Sequence, residues 1–331
     1  MREVSASSKK SFPLLSYLDD LVEDLETRLQ KAADHSKPED IHKGRIAARR
    51  LKAAIDVLRP VVSDKHRKPL ARACRKLRRR LGPLRDSDIM LMHLEEIGGS
   101  ARHAAGASWL VEQIKADRAD IEEELSPKRL SRLCKDLEGW DDFRKELTEA
   151  QEAIASLLAQ SVHLQLDALI EQAEARTSRQ SNSDIHGLRI AFKKLRYTIE
   201  MAKESGHDLP AGTLETFKRI QDALGLWHDF VVIVARGLEC STQEELAVRD
   251  APMQQKVLAI VDHFLQKSLA QLDRFQKLWN EFGTEIANLL REQFPLENTA
   301  TKSKKGRGQR RSKRTVARAI PAAGAPSNGQ A

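Results

Sequence analysis

Twelve residues carry the densest chemistry in the chain. Ile41-His42-Lys43-Gly44-Arg45-Ile46-Ala47-Ala48-Arg49-Arg50-Leu51-Lys52 returns 144 positions later as Ile185-His186-Gly187-Leu188-Arg189-Ile190-Ala191-Phe192-Lys193-Lys194-Leu195-Arg196. The shared pattern is I-H-x-x-R-I-A-x-[RK]-[RK]-L-[RK]. At roughly 100° per residue on a helix, His42, Arg45, Arg49 and Lys52 fall within about an 80° arc, a ladder of about 15 Å. His186, Arg189, Lys193 and Arg196 repeat it, while Arg50 and Lys194 fall off their ladders. Guanidinium groups offer paired N–H donors to phosphate oxygens, and lysines add point charges. Such repeated donors suit a flexible polyanion that needs no base recognition.

A second matched stripe lies downstream. Arg75, Arg78, Gly82 and Arg85 follow a three-and-four spacing, and Lys218, Gln221, Gly225 and His228 hold the matching places. Glycine there allows close approach by a phosphate, or serves a helix crossing or kink. Leu81-Gly82-Pro83-Leu84-Arg85-Asp86 matches Leu224-Gly225-Leu226-Trp227-His228-Asp229 at an offset of 143. Asp86 and Asp229 are expected to hold neighbouring arginines by ion pairs rather than touch phosphate. His42 and His186 are expected near their helices' first turns, after Asp40 and Asp184 as candidate N-caps. Free N–H groups and the dipole favour an anion there, and a bound phosphate would raise an imidazole's pKa. The plainer alternative is that each histidine caps or packs its helix.

The elements that must hold these ladders read as helices. Leu14, Leu18, Leu21, Val22, Leu25 and Leu29 recur at helical spacing, and Lys37-Pro38 marks a break. Further helices are expected from near Asp40 to before Pro60 and from Lys68 to Leu81, with Gly82-Pro83 interrupting or kinking the chain. Gly98-Gly99 breaks the next. The pattern resumes at Leu110, Val111, Ile114 and Ile121, then over Thr148 to Thr177, Ile185 to Glu204, Leu214 to Leu224 and Gln254 to Leu290. No sustained β-type alternation occurs. Two ordered matches at nearly one offset indicate an internal duplication. The expectation is an all-α fold of two tandem helical bundles, copies of one unit of about 140 residues divided near Ala150. Residues 11–297 would form the helical part, as repeats of about 11–150 and 151–297, and 298–331 a disordered basic tail.

Charge is segregated. Of the net +8, the tail from Asn298 contributes nine Lys or Arg and no acid, leaving the rest at −1. Yet Ile41 to Arg85 holds sixteen Lys or Arg against Asp56 and Asp64, a strong local positive field. Ile185 to Asp229 holds seven against six acids, so the first half is expected to supply most of the affinity. The tail suits polyphosphate, nucleic acid or an acidic partner, or acts only as a solubilising extension. Cys74, Cys134 and Cys240 are too few and scattered for a disulfide framework or zinc site. The N-terminus has no apolar signal-like run, and nowhere do 18 apolar residues follow one another. A cytoplasmic protein without membrane contact is expected; oligomeric state is left open.

The doubled motif resembles the CHAD family, named for a conserved histidine in an alpha-helical domain. The residues that carry it are His42, Arg45, Arg49, Arg50 and Lys52, then His186, Arg189, Lys193, Lys194, Arg196 and Tyr197, with the two Leu-Gly-x-x-[Arg/His]-Asp segments. The resemblance covers roughly residues 14 to 295. It implies two helical bundles related by a pseudo-twofold, with a basic surface that binds inorganic polyphosphate. A structural role stands apart from the resemblance: amphipathic helices that coat a storage granule, compatible with this ligand where the granule holds the polymer. Many family members carry a CYTH triphosphatase domain in front. The residues before Ser11 offer no room for one and no E-x-E-x-K strand motif occurs, so that activity is not expected.

Two other functions compete. Non-specific nucleic-acid binding fits the charge, although helix-turn-helix, zinc-finger and RNP motifs are missing and stacking aromatics are few. A metal-dependent phosphohydrolase would use His186, His228-Asp229 and Asp262, but Arg85 stands at the position matching His228 and cannot ligate a metal. No H-E-x-x-H, Walker A or G-x-S-x-G signature occurs. The expectation is a binding protein with no catalytic residues, metal or cofactor.

Overall fold

The computed structural model describes residues 12–34, 37–124, 135, 137–175 and 182–296. Cys134 and the whole basic tail lie outside them. The described residues fold as helices without strands: α1 (Pro13–Asp34), α2 (Pro38–Val57), α3 (Asp64–Arg80), α4 (Gly82–Gly98), α5 (Ala104–Glu124), α6 (Trp140–Glu149), α7 (Gln151–Ala175), α8 (Asn182–Glu204), α9 (Thr213–Ser241) and α10 (Ala251–Gln293). A single π turn, Glu245–Arg249, joins the last two.

Periodic apolar residues set which face each helix buries. Leu14, Leu18, Leu25 and Leu29 of α1 are all buried, so that helix docks along one leucine stripe against α2. α7 pairs with α8, and α4–α5 and α9–α10 form two further pairs. Two apolar cores result. The larger joins α1, α2, α3, α6, α7 and α8 with the start of α9 and the end of α10. Phe192 of α8 lies at its centre, 5.2 Å from the Phe217 ring, 5.8 Å from Phe275 and 5.5 Å from Trp279. The smaller core joins α4 and α5 with the rest of α9 and the start of α10 around Phe230 and Phe264. With 43 residues, α10 runs about 65 Å and serves both cores. Its N-terminus is closed by Asp250, whose carboxylate accepts from the Met253 amide at 3.0 Å. The sequence division near Ala150 falls between α6 and α7, but each core draws on both sides of it.

The helix boundaries refine the sequence expectations at three places. α3 starts at Asp64, upstream of Lys68, and tolerates Pro69 in its early turns. Thr148 to Thr177 is not one helix: α6 ends at Glu149, Ala150 forms the joint, and α7 ends at Ala175, with Thr177 outside the described residues. Third, α9 does not stop at Leu224 but continues through Gly225 to Ser241. Pro83 accounts for the difference from its counterpart. A proline lacks the N–H that would continue α3, so Leu81 becomes a joint and α4 restarts at Gly82. Leu226 stands at the matching place in α9, and the helix passes through.

α7 is long and apolar enough to cross a membrane by length and composition alone, at a mean hydropathy of 1.3 over its most apolar window. In the fold it is a core helix, with Ile154, Leu158, Val162, Leu166 and Leu169 all buried in the larger core.

Candidate anion-binding cleft

The two motif helices, α2 and α8, pack against one another, and α4 meets α9 beside them. A cleft of about 730 Å³ opens where these four helices and the end of α3 converge. Apolar spacing explains the orientation. Ile41, Ala48, Leu51 and Ile55 anchor one face of α2 in the larger core, and Ile185, Leu188, Phe192, Leu195 and Ile199 do the same for α8. The basic face of each helix is thereby turned away from the core. His42, Arg45, Arg49 and Lys52 all line the cleft from α2, with Arg78 of α3 and Arg85 of α4. His186, Arg189, Lys193 and Lys194 line it from α8, and His228 from α9.

Four of the candidate residues lie elsewhere. Arg75 and Lys218, the matched first members of the second stripe, are exposed beyond the cleft, one turn before Arg78 and Gln221. Arg50 and Arg196 turn instead to one shared carboxylate, Glu200: Arg50 Nε donates to it at 3.1 Å, and Arg196 Nε lies 3.2 Å from its other oxygen. This bridge ties α2 to α8. Lys194, which the angular argument put off the ladder, lines the cleft, and so does Tyr197. Lys52 lines it too but is ion-paired with Asp56. The last rung of each ladder is thus held by an acid four residues on.

The remaining cations are unusual for what they lack. Among the described residues, Arg49, Arg78, Arg85, Arg189, Lys193 and Lys194 have no side-chain hydrogen bond and no carboxylate within 4.0 Å. Away from the cleft, half-buried arginines such as Arg28, Arg118 and Arg236 are ion-paired, whereas ones unpaired among the described residues, such as Arg59, Arg72 and Arg102, are exposed. Arg45 and Arg189 are 8% and 9% exposed. Arg45 Nη1 donates to the Arg78 carbonyl at 2.9 Å, whereas the Nε of Arg189 is buried without any partner. Burial, and next the charge of Arg49, bring both guanidinium groups down to about 10. Lys193 falls furthest, to about 6, through burial and then Arg189 and Arg49. Ile46, Ile89, Ile190 and Leu226 also line the cleft, and their apolar surface reduces the screening of these charges.

The glycines of the second stripe have separate roles. A Cβ on Gly82 would come 3.0 Å from Arg45 Nη1, so this glycine makes room for the buried guanidinium rather than for a ligand. A Cβ on Gly225 would meet nothing within 4 Å, although Gly225 lines the cleft.

Several local expectations are corrected. α2 begins at Pro38 with Lys37 at the N-cap, and Asp40 lies inside the first turn, where it accepts from Arg28 Nη1 at 2.8 Å. Asp184 likewise falls inside α8, which begins at Asn182. His42 and His186 therefore come after the free N–H groups of the first turn, and the helix end does not supply their anion affinity. Both line the cleft and neither caps a helix. Burial lowers the pKa of both; neighbouring Arg85, Arg49 and Arg45 add to the effect at His42, and Arg189 and Lys193 at His186. The His186 and His228 rings lie 5.5 Å apart, and burial followed by Arg189 brings His228 to about 3. Asp86 and Asp229 do not form the expected ion pairs: no cationic nitrogen lies within 4.0 Å of either among the described residues. Burial raises both carboxyls against the lowering influence of the arginines nearby.

Among the described residues, no group of three or more His, Cys, Asp or Glu could hold a metal ion, and Asp262 does not line the cleft. Cys74 and Cys240 are buried free thiols, Cys74 pushed up to about 12 by burial.

Comparison with known proteins agrees with this architecture. Residues 16–236 match the family model of the CHAD domain. No curated protein sequence matches the chain. A crystal structure of the CHAD domain from the plant Ricinus communis superposes with a TM-score of 0.60 at 18% identity, over 84% of this chain and 94% of that one. PptA from Streptomyces chartreusis superposes with a TM-score of 0.52 at 15% identity, over 81% of this chain and 98% of its own. At such identities the structures speak for the fold alone, but the family match takes in both basic ladders and both downstream segments. The chain belongs to the CHAD domain family.

Proposed function

We propose that this protein binds inorganic polyphosphate in the cleft between α2 and α8, as a binding protein rather than an enzyme. One observation carries the reading: five cations and the Lys193 amine converge on a cleft without carboxylate partners, two of the site's guanidinium groups being almost fully buried. Holding like charges together out of water costs free energy that a folded chain ordinarily avoids by pairing them. A polyanion would supply the missing counter-charge along the whole cleft at once. Eight Lys or Arg line it against Asp56, Asp86, Asp222 and Asp229, so its net charge is positive without any imidazolium. We read the two basic walls as copies of one ancestral helical unit, which would give a linear ligand two similar tracks. We place it in the cytoplasm, at granules of the polymer, as part of the same proposal.

Competition separates this reading from general phosphate affinity. Labelled long-chain polyphosphate bound to the full chain is challenged with duplex DNA, RNA and free phosphate at equal phosphate concentration. Polyphosphate is expected to stay bound. Displacement by DNA would make the protein a nucleic-acid binder, with the nine basic residues of the tail as the natural grip.

A further inference from the structure

Lys193 lines the cleft half-buried on α8. Its ammonium group is held in the α8 wall with no carboxylate within 4.0 Å and no hydrogen-bond partner among the described residues. The groups that act on it come from three helices. From α2 these are Arg49 and His42, and from its own helix Arg189, Arg196 and His186; α9 brings His228 and Asp229. From α4, Asp86 acts on Arg189. Three guanidinium groups thus oppose a single carboxylate that is itself partly buried. Ile190, one turn earlier on α8, also lines the cleft.

Resting on the polyphosphate reading, we infer that Lys193 is a charge-density sensor and specificity-determining residue of the cleft. It is neutral while the cleft is empty and takes a proton from solvent when a dense polyanion enters. A chain of phosphates neutralises Arg49 and Arg189 and places oxygens beside the amine, which reverses the balance that keeps the proton off. A lone phosphate neutralises too little of the cluster to do so. The fall of this amine to about 6 in the empty cleft, against an ordinary 10.5, accords with the geometry. Selection among anions then arises because only a ligand that spans the cluster gains the extra cationic contact.

Calorimetric titration of the full chain with long-chain polyphosphate, at pH 8 in two buffers of different ionisation enthalpy, counts the protons taken up. At this pH imidazoles contribute little, because their ordinary value is near 6.5. About one proton per site is expected, and Lys193→Arg, which keeps its charge throughout, should bind while losing that uptake. Inorganic phosphate alone should elicit none. Binding whose heat is the same in both buffers overturns the inference but leaves the polyphosphate reading intact. Absence of binding removes the reading itself. Should Lys193→Arg misfold, wild type at pH 9 decides: uptake of about one proton must persist there, well above any imidazole. Uptake that vanishes between pH 8 and pH 9, or survives in a folded Lys193→Arg variant, assigns the proton to another group and overturns the proposal.

Discussion

At the scale of single residues, chemically identical side chains have opposite roles. Arg49 contacts no protein acceptor, and its repulsion of Arg45, Arg189 and Lys193 is set against Asp86 alone, so Arg49→Gln should weaken polyphosphate binding while leaving the melting temperature equal or higher. Arg45 is different, since its Nη1 satisfies the Arg78 carbonyl. Arg45→Gln should weaken binding and also cost about 1 kcal/mol or more of stability, measured by denaturant titration. The glycine pair gives a second contrast. Gly225→Ala meets open space inside α9 and should stabilise by roughly 0.5–1 kcal/mol, whereas Gly82→Ala crowds the Arg45 guanidinium and should destabilise. A thermal melt of both variants reads the difference, and equal shifts would contradict it. The ladders were legible in the sequence because helical periodicity fixes which residues share a face. Their last rungs are paired within the helix, Lys52 while still lining the cleft and Arg196 outside it, and the signal for that pairing is also in the sequence. Asp56 and Glu200 stand four residues after Lys52 and Arg196, the spacing at which a helix pairs opposite charges.

At the scale of elements, most helices could be read from their apolar spacing, because α1, α2, α8 and α10 each bury one clear stripe. What failed was local competition between signals. The stretch around Ala150 has no glycine or proline to announce a joint, so α6 and α7 looked continuous. Gly225 looked like a helix end and is not one, because the proline that breaks the counterpart at Pro83 is missing. The capping assignments failed because an aspartate in a first turn looks like one just before it. The sequence also could not show that α2 and α8 lie side by side, since no local pattern records a contact across 150 residues; the Arg50–Glu200 bond is that contact. Glu200→Ala should release both Arg50 and Arg196 and loosen the two walls. A loss of roughly 1 kcal/mol is expected, modest because Arg50 is 35% exposed. Hydrogen exchange should quicken in α2 and α8 together; exchange unchanged in both would show that apolar packing alone holds them.

At the scale of the molecule, charge and titration decide behaviour. Between pH 7 and pH 9 the unfolded chain binds the Lys193 proton and the empty folded chain does not, since the folded value is about 6 against an ordinary 10.5. Stability must then rise with pH over that window, by at most about 1.4 kcal/mol per pH unit and less for a side chain that is only partly buried. Thermal melts of the empty protein should shift upward from pH 7 to pH 9, and saturating polyphosphate should flatten the trend. Deleting residues 298–331, which hold nine basic residues and no acid, should weaken binding yet leave a folded, binding-competent body. A truncated protein that binds nothing would move the site from the cleft to the tail.

The cleft itself is tested most directly by replacing Arg49, Arg85 and Lys194 together with Gln. These three line it from three helices and have no protein partner among the described residues, so their loss opens no core cavity and breaks no ion pair. Long-chain polyphosphate is titrated into wild type and triple variant across a series of salt concentrations, with circular dichroism melts alongside. The account predicts an intact fold, affinity lower by roughly a hundredfold or more, and a salt slope shallower by about three phosphate contacts. Unchanged affinity and slope in a properly folded variant would contradict it.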